Sequence, residues 1–314
     1  MIRPATLTQE TAVVLPTLRQ LQYLKLLAEH GSFSRAADAA HVTQPTLSAG
    51  VAELEKILGA PVVDRARSGV ILTRVGEEAV RRAEDVLARA EDLVQAARSA
   101  GRPLSGRFRL GVIPTIAPFL LPRALPMIRA RFPELRLYLR EDLTSRLVAA
   151  LKTGALDAAL MALPYDAQGV DFAHVGVDEL LAAAPANHPT LSLAVLRMAD
   201  LDPTSLILLE DGHCLREHAL QACNLDAPRP PGAEDGFAAT SLATLVQMVG
   251  SGLGLSLIPA MAVDAGLTAD APVSVRRLSD AVPPTREIVV AWRRGSSRES
   301  DARLLAESFK RMEA

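Results

Sequence analysis

The side chains best suited to chemistry lie in one short segment, Gly212 to Cys223, which holds both cysteines of the 314-residue chain. His213 precedes Cys214 directly, and His218 follows it by four residues. Two cysteines this close form a disulfide, hold a metal ion, or are unrelated buried thiols. In a reducing compartment such a pair is more often reactive or metal-binding than a permanent bridge, so the segment suggests a switch.

Composition narrows the setting in which such a switch would work. Residues 1–16 lack the basic start and apolar run of a signal peptide, and no apolar stretch approaches ~18 residues. We therefore expect a cytoplasmic protein with no membrane contact. The net charge of −2 does not by itself indicate nucleic-acid binding. Whether one face of the protein is basic enough to bind a nucleic acid depends on where the charges lie.

The N-terminal part has the pattern of a helix-turn-helix. An apolar stripe through Leu18, Leu21 and Leu24 predicts a helix that stops at Gly31, and alanines at 36–40 predict a short second helix. Thr43 can cap a third helix with Pro45 in its first turn. In a helix-turn-helix, the second helix of the motif enters the major groove of DNA. Here that is the third helix of the chain, which presents Gln44, Thr46 and Ser48.

Basic residues follow on a predicted two-stranded wing around Ser68-Gly69. Arg65, Arg67 and Arg74 lie on or beside this wing, where they can neutralise phosphates. The alternative is a small helical packing domain with a solvated face, and spacing alone leaves both open.

The rest of the chain predicts a linker and an α/β domain. Apolar residues three and four apart through 76–101 predict a linker helix that pairs with a second copy. From 107 onward, short strands alternate with helices. The predicted strands are 108–112, 135–139, 158–162, 206–209, 254–258 and 286–293, and the predicted helices are 118–132, 143–153 and 241–251.

The glycines at 252 and 254 are too few for a dinucleotide-binding site, so no cofactor is expected. The predicted domains are a 1–16 extension, a 17–75 DNA-binding domain, the 76–101 linker and a 107–314 regulatory domain.

Several motifs resemble those of LysR-type transcriptional regulators. They include Phe33-Ser34-Arg35-Ala36-Ala37, Thr43-Gln44-Pro45-Thr46-Leu47-Ser48 and Leu72-Thr73-Arg74-Val75-Gly76. The segment 209–216 and the second cysteine at 223 resemble the peroxide-sensing members of that family. The resemblance implies an all-α winged helix-turn-helix followed by a two-lobed α/β domain like a periplasmic binding protein. It implies DNA contacts from Arg35, Gln44, Pro45, Thr46, Ser48, Arg65, Arg67 and Arg74.

The resemblance also implies a thiol chemistry for the cysteine segment. Cys214 would attack hydrogen peroxide as a thiolate, with a pKa lowered by its place at a helix start, and Cys223 would resolve the sulfenic acid into a disulfide. If 214–223 formed one helix, the two Cα atoms would lie about 13 Å apart, whereas a disulfide needs ~4.4–6.8 Å. Bridging would therefore remodel the segment.

The same resemblance implies the other members of a peroxide pocket. These are Thr115, Thr144, His213 and Arg286, which could hold both peroxide oxygens and stabilise the leaving hydroxide. Each also has an ordinary structural explanation, as a strand, cap or surface residue. The implied partners are double-stranded DNA at pseudo-palindromic sites, a homodimer or homotetramer, RNA polymerase, and a disulfide reductant such as glutaredoxin or thioredoxin.

Three alternatives remain at this point. The first is a metal sensor that uses His213, Cys214, His218 and Cys223. The second is a regulator gated by a small organic effector between the lobes, with incidental cysteines. The third is a thiol peroxidase, which the DNA-binding head disfavours. Ala52 and Glu53 depart from the family pattern, because similar recognition helices carry basic residues at these positions, where they would contact phosphates.

Overall fold

A computed structural model describes residues 14–66, 69–98, 102–223 and 238–311. The chain divides into two compact units, Met1–Glu91 and Asp92–Ala314, and each is described by itself. Most of the N-terminal extension, Arg67 in the wing and the proline-containing stretch after Cys223 lie outside the described residues.

The first unit contains the predicted winged helix-turn-helix. Its elements are α1 (Leu18–His30), α2 (Phe33–Ala39), α3 (Gln44–Leu58), β1 (Val63–Ala66) and β2 (Gly69–Leu72). Thr17 and Gln20 form a reciprocal capping box at the start of α1, and Gly31 ends it in a left-handed conformation. Thr43 accepts a hydrogen bond from the amide of Thr46 at the start of α3. The local capping signals thus place the ends of the helices where the sequence predicts them.

The linker helix α4 (Arg74–Arg98) divides its apolar residues between two environments. Ala83 is buried in the core of the first unit, and Val80 and Leu87 pack against that core. Leu93 is 73% exposed, and Val94 is exposed too. The first half of the predicted seam therefore packs on its own unit, and the second half presents apolar side chains to solvent, as a partner helix would require.

The second unit is built on one mixed sheet of seven strands. Its strands are β3 (Gly106–Val112), β4 (Leu135–Glu141), β5 (Ala158–Leu163), β6 (Val170–Pro185), β9 (Ser256–Pro259), β10 (Val273–Arg276) and β11 (Thr285–Arg293). Across the sheet the order is β10, β6, β11, β5, β3 and β4, and β9 also pairs with β6. A separate parallel pair joins β7 (Leu208–Leu209) to β8 (Ala238–Ala239). The helices are α5 (Ala117–Arg131), α6 (Thr144–Lys152), α7 (Cys214–Ala222), α8 (Leu242–Gly250), α9 (Ala260–Asp264) and α10 (Glu299–Lys310).

Two hydrophobic cores define two lobes within this unit. The first core surrounds β3, β5 and β11 and includes Phe108 and Trp292, while the second surrounds β9 and α8 and includes Leu257 and Val249. The long strand β6 supplies Val175 to the first core and Leu180 to the second. The two-lobed α/β prediction is confirmed.

Two strands differ in extent from the prediction. The expected strand at 206–209 is reduced to two residues, since Ile207 instead donates its amide to the Leu255 carbonyl. The expected strand at 254–258 begins two residues later, at Ser256, and ends at Pro259, while Leu255 forms an isolated bridge with Leu206. No helix within the described ranges is long and apolar enough to cross a membrane.

Candidate redox site between the two lobes

The segment that holds both cysteines folds as one helix. Cys214 is the first residue of α7, His213 is its N-cap, and Cys223 is its C-cap. Gly212 has a φ of +97°, and a Cβ there would lie 3.0 Å from Leu143 Cδ1, so the turn into the helix needs glycine. The predicted separation of the two cysteines by a helix is therefore present.

The two ends of α7 pack against different lobes. Cys214 is 6% exposed and belongs to the first core, although its neighbour Leu215 belongs to the second. Cys223 packs against the second core, where its thiol donates to the Met198 thioether at 3.6 Å. The helix thus holds one thiol in each lobe.

A buried arginine dominates the electrostatics around Cys214. The side chain of Arg286 is fully buried, and its Nη1 donates to Thr115 Oγ1 at 2.7 Å. Its Nε and Nη2 donate to Asp178 Oδ2 at 3.0 and 2.9 Å, and Nη2 also donates to the Thr115 carbonyl at 3.0 Å. Arg286 and Asp178 are register partners on β11 and β6. The guanidinium is therefore fixed in position from two sides.

The pKa of Cys214 departs from the expectation. Burial raises it above the ordinary value, while the Arg286 charge, the Thr144 hydroxyl and the backbone amides of Leu215 and Cys214 act in the opposite direction. The expected lowered pKa is wrong for this structure, because the cost of desolvating the anion outweighs the helix terminus and the nearby cation. The resting group is a thiol that its surroundings are equipped to deprotonate.

Thr144 begins α6 and is buried beside this thiol. Its hydroxyl acts on Cys214 in the direction that lowers the pKa of the thiol. Within the described residues, however, Thr144 Oγ1 has no partner at ordinary hydrogen-bond distance and angle. Thr144 therefore has unused hydrogen-bonding capacity next to the sulfur.

The two histidines of the segment are both buried. Burial lowers the pKa of His213, against an opposing effect of Glu210. Burial also lowers the pKa of His218 to about 4, so this imidazole is neutral at physiological pH. His218 Nε2 donates to the Pro164 carbonyl at 3.2 Å, whereas Nδ1 has no partner within the part of the chain that the structure describes.

The predicted pocket residues are partly brought together. Arg286 links Thr115 to the surroundings of Cys214, and Thr144 interacts with the thiol itself. His213 is their neighbour through the chain alone, and its role stays a prediction. Sequence reasoning missed Asp178, which fixes Arg286, and considered His218 only as a metal ligand. A carboxylate in register with a buried arginine is visible only once strands β6 and β11 are paired.

Cys223 lines a cavity beside the C-terminal half of α7. The cavity measures about 700 Å³ and is also lined by Pro164, Met198, His218 and Thr285. Burial raises the pKa of Cys223.

The metal-sensor alternative has no support in the structure. Among the described residues, no group of three or more histidine, cysteine or acidic side chains could hold a metal ion, so the four proposed metal ligands do not converge.

The proposed DNA contacts occupy the exposed start of the third helix. Gln44, Pro45 and Thr46 are exposed in the first turn of α3, and Ser34 donates to Gln44 Oε1 at 3.2 Å. The remaining predicted contacts are placed as follows: Arg35 is exposed on α2, Ser48 is half-buried on α3, Arg65 lies on β1, and Arg74 is exposed at the start of α4. Glu53, one of the departures noted above, pairs with Lys56 at 2.9 Å.

Two family comparisons decide what kind of protein carries this site. Residues 18–77 match the bacterial regulatory helix-turn-helix protein, lysR family, and residues 101–314 match the LysR substrate binding domain. The chain belongs to the LysR family of transcriptional regulators. Its relatives regulate transcription and are not enzymes, which removes the thiol peroxidase alternative.

Individual relatives place this LysR regulator near peroxide sensors. It is 38% identical over 295 residues to the DNA-binding transcriptional dual regulator OxyR of Escherichia coli K12, covering 93% of this chain and 94% of that one. It is also 38% identical over 301 residues to the HTH-type transcriptional regulator EstR of Acinetobacter baylyi, covering 96% and 98%. A solved structure of full-length OxyR from Pseudomonas aeruginosa, carrying one cysteine substitution, matches with a TM-score of 0.74 and 35% identity, covering 94% and 98%.

Proposed function

We propose that this LysR-type regulator senses hydrogen peroxide through oxidation of Cys214, which then forms a disulfide with Cys223. The observation that carries the proposal is the placement of Cys214 at the start of α7, within the electrostatic reach of Arg286 and beside Thr144. A cation and a hydroxyl next to a buried sulfur favour its anion, which is the form that attacks peroxide.

The proposed reaction has two steps. The Cys214 thiolate attacks one peroxide oxygen, the O–O bond breaks, and hydroxide leaves and takes up a proton to become water. The resulting sulfenic acid then condenses with the Cys223 thiol, which forms the S–S bond and releases a second water. Arg286 and Thr115 would stabilise the charge on the departing oxygen.

Formation of the disulfide, the second step, would force a conformational change in the regulatory domain. With α7 intact, its two ends lie about 13 Å apart, so the disulfide cannot form while the helix persists. Oxidation must therefore unwind α7 and withdraw a thiol from one of the two lobe cores. A change of that size in the regulatory domain can alter how subunits assemble on DNA.

A similar structure with bound peroxide supports the proposal. A cysteine-to-serine mutant of Corynebacterium glutamicum OxyR, H2O2-bound, matches this chain with a TM-score of 0.63 and 31% identity, covering 95% of this chain and 93% of that one. By analogy, we propose binding to pseudo-palindromic DNA as a homodimer or homotetramer. RNA polymerase and a thiol reductant such as glutaredoxin or thioredoxin complete the proposed set of partners.

A single variant tests this function against gating by an organic effector. Cys214→Ser should remain folded and bind operator DNA, but its DNase footprint should no longer change when peroxide is added. A sulfenic-acid trap such as dimedone should label Cys214 in the unmodified chain. A peroxide-dependent footprint that persists in Cys214→Ser would discard the proposal and favour the effector-gated regulator.

A further inference from the structure

The cavity beside the C-terminal half of α7 has a wall suited to a small organic ligand. Its volume of about 700 Å³ lies within the roughly 300–1,000 Å³ of small-molecule pockets. The apolar part of its lining includes Pro203, Val282 and Pro283. The residues that surround the reacting thiol do not line it: Thr115, Thr144, Cys214 and Arg286. The cavity is therefore separate from the proposed peroxide site.

The charge of this cavity comes from Asp280. Among the described residues that line it, no lysine or arginine offsets this carboxylate. His218 is neutral at physiological pH, because burial lowers its pKa to about 4. Burial raises the pKa of Cys223, so this side chain is a neutral thiol. The wall thus presents one negative charge among mostly apolar side chains.

The Asp280 carboxylate is held in place and keeps one oxygen free. The Met198 amide donates to Asp280 Oδ2 at 2.9 Å, and the neighbouring Ser279 amide donates to the Leu196 carbonyl at 2.7 Å. Within the described part of the chain, Asp280 forms no ion pair and its Oδ1 accepts no hydrogen bond. A half-buried carboxylate has lost part of its hydration, so an N–H cation at this oxygen gains a charge-assisted hydrogen bond.

We propose that this cavity binds a small aliphatic amine, whose ammonium group donates to Asp280 Oδ1 while its hydrocarbon body contacts the proline-lined wall. An organic anion of the same shape would face the carboxylate with no cation to offset it. A neutral alcohol would make the apolar contacts without the charge-assisted hydrogen bond. Charge complementarity therefore selects the amine over both.

Resting on the proposed function, a bound amine would oppose disulfide formation. The wall joins Ala222 and Cys223 of α7 to Met198 of the second lobe and to Pro164, which follows β5. Bridging the two cysteines unwinds α7 and so removes part of this wall. A ligand that binds the reduced form better stabilises that form by mass action. The amine would thus raise the amount of oxidation needed for a response.

Isothermal titration calorimetry of the reduced, full-length chain with n-hexylamine tests the site. We expect hexylamine to bind at least about tenfold more tightly than hexan-1-ol or hexanoate, since one charge-assisted hydrogen bond is worth a factor of ten or more. Asp280→Asn should weaken hexylamine binding about tenfold, because asparagine keeps an acceptor for the Met198 amide but carries no charge. Asp270→Asn is the matched control, since Asp270 is exposed and does not line the cavity.

A second variant tests the cavity without touching its charge. Ala199 lines the cavity from an exposed position, so Ala199→Leu narrows the space and leaves Asp280 in place. This variant should weaken hexylamine and hexan-1-ol alike. It keeps the test decisive if Asp280→Asn folds poorly.

The same ligand should slow the second oxidation step. At hexylamine concentrations of about ten times Kd, we expect disulfide formation to slow about tenfold. Sulfenic acid formation at Cys214 should keep its rate, since Cys214 does not line the cavity. Asp280→Asn should lose most of the slowing at the same hexylamine concentration, and hexanoate should cause none. Quenched-flow alkylation followed by mass spectrometry measures both steps.

Other outcomes overturn the inference in distinguishable ways. Failure of hexylamine to bind, equal affinity for hexan-1-ol, or unchanged affinity in Asp280→Asn would overturn the amine site. Binding that leaves disulfide formation unchanged would overturn its opposition to the unwinding of α7. If the unmodified chain forms no disulfide with peroxide, the proposed function fails, whereas calorimetry still decides whether the amine site exists.

Discussion

The Cys223 thiol donates to the Met198 thioether across 3.6 Å, on the lobe opposite to the one that buries Cys214. Met198 begins a short helical turn and packs against the second core. In the proposed oxidation, this sulfur contact must break before Cys223 can reach a sulfenic acid at the other end of α7. On that proposal, the contact with Met198 opposes the release of the second thiol.

Replacing Met198 by leucine should ease this release. Met198→Leu keeps the apolar volume but removes the acceptor, and a weak hydrogen bond of this kind is worth roughly 0.5–1 kcal/mol. We expect disulfide formation to accelerate about two- to fivefold, while sulfenic acid formation at Cys214 is unchanged. Quenched-flow alkylation followed by mass spectrometry measures both steps.

Met248→Leu is the matched control for this variant. Met248 packs against the same core from α8, so its replacement tests for general loosening of the second lobe. Identical acceleration in Met198→Leu and Met248→Leu would show that the sulfur contact is not what holds Cys223.

The reaction with peroxide should depend steeply on pH. Because burial raises the pKa of Cys214, the thiolate fraction below that pKa grows with pH. The rate constant of sulfenic acid formation should therefore rise about tenfold per pH unit from pH 6 to 8, as expected for a group that titrates above this range. Stopped-flow measurements across this range check the slope, and a plateau beginning below pH 7 would mean that the pKa is lowered after all.

Removal of the buried cation should impair both stability and reactivity. Arg286→Met leaves the buried Asp178 carboxylate without its partner, and breaking such a pair costs about 3–5 kcal/mol. It also removes a charge that favours the Cys214 thiolate, so peroxide reactivity should fall at least about tenfold.

A second substitution separates the two effects of Arg286. The double variant Arg286→Met/Asp178→Asn carries no unpaired charge and should recover most of the free energy of unfolding, measured by urea denaturation, but not the reactivity. Recovery of reactivity together with stability would mean that Arg286 serves the fold and not the thiol.

The proposed DNA contacts should divide into sequence-specific and non-specific ones. Ser34 occupies Gln44 Oε1, which leaves the amide Nε2 to donate to an acceptor on a base edge. Gln44→Ala should relax the preference at one base pair by about 1–3 kcal/mol. Arg65→Ala should weaken binding to all sequences and reduce the salt slope by about 1.

Binding titrations on single-base operator variants at several salt concentrations measure both quantities. A uniform loss across operator sequences in Gln44→Ala would contradict a base contact. An unchanged salt slope in Arg65→Ala would contradict a phosphate contact for that residue.

Local signals made the helices of the first unit predictable. Thr17, Thr43 and the left-handed glycines act within one turn of the ends that they define, so periodicity and capping located α1 and α3 closely. Those signals are absent from β6, whose sixteen residues contribute to both lobe cores. Its extent depends on pairing with β9, β10 and β11, which come much later in the chain.

The candidate site followed the same division between local and long-range information. The position of Cys214 at a helix start could be predicted from Gly212 and its neighbours. The balance that sets its pKa could not, because it depends on how completely the first core encloses the sulfur. The partnership of Asp178 with Arg286 joins residues 108 positions apart, and only the sheet register brings them together.

Under the proposed function, peroxide joins Cys214 to Cys223 and thereby changes how the protein contacts DNA. Peptide mapping by mass spectrometry, run on the samples used for DNase footprinting, tests it most directly before and after one equivalent of peroxide. We expect one Cys214–Cys223 disulfide and an altered footprint in the unmodified chain. In Cys223→Ser we expect sulfinic or sulfonic Cys214 at excess peroxide and the footprint of the reduced protein. An oxidised chain without that disulfide, or with it and an unchanged footprint, would contradict the account.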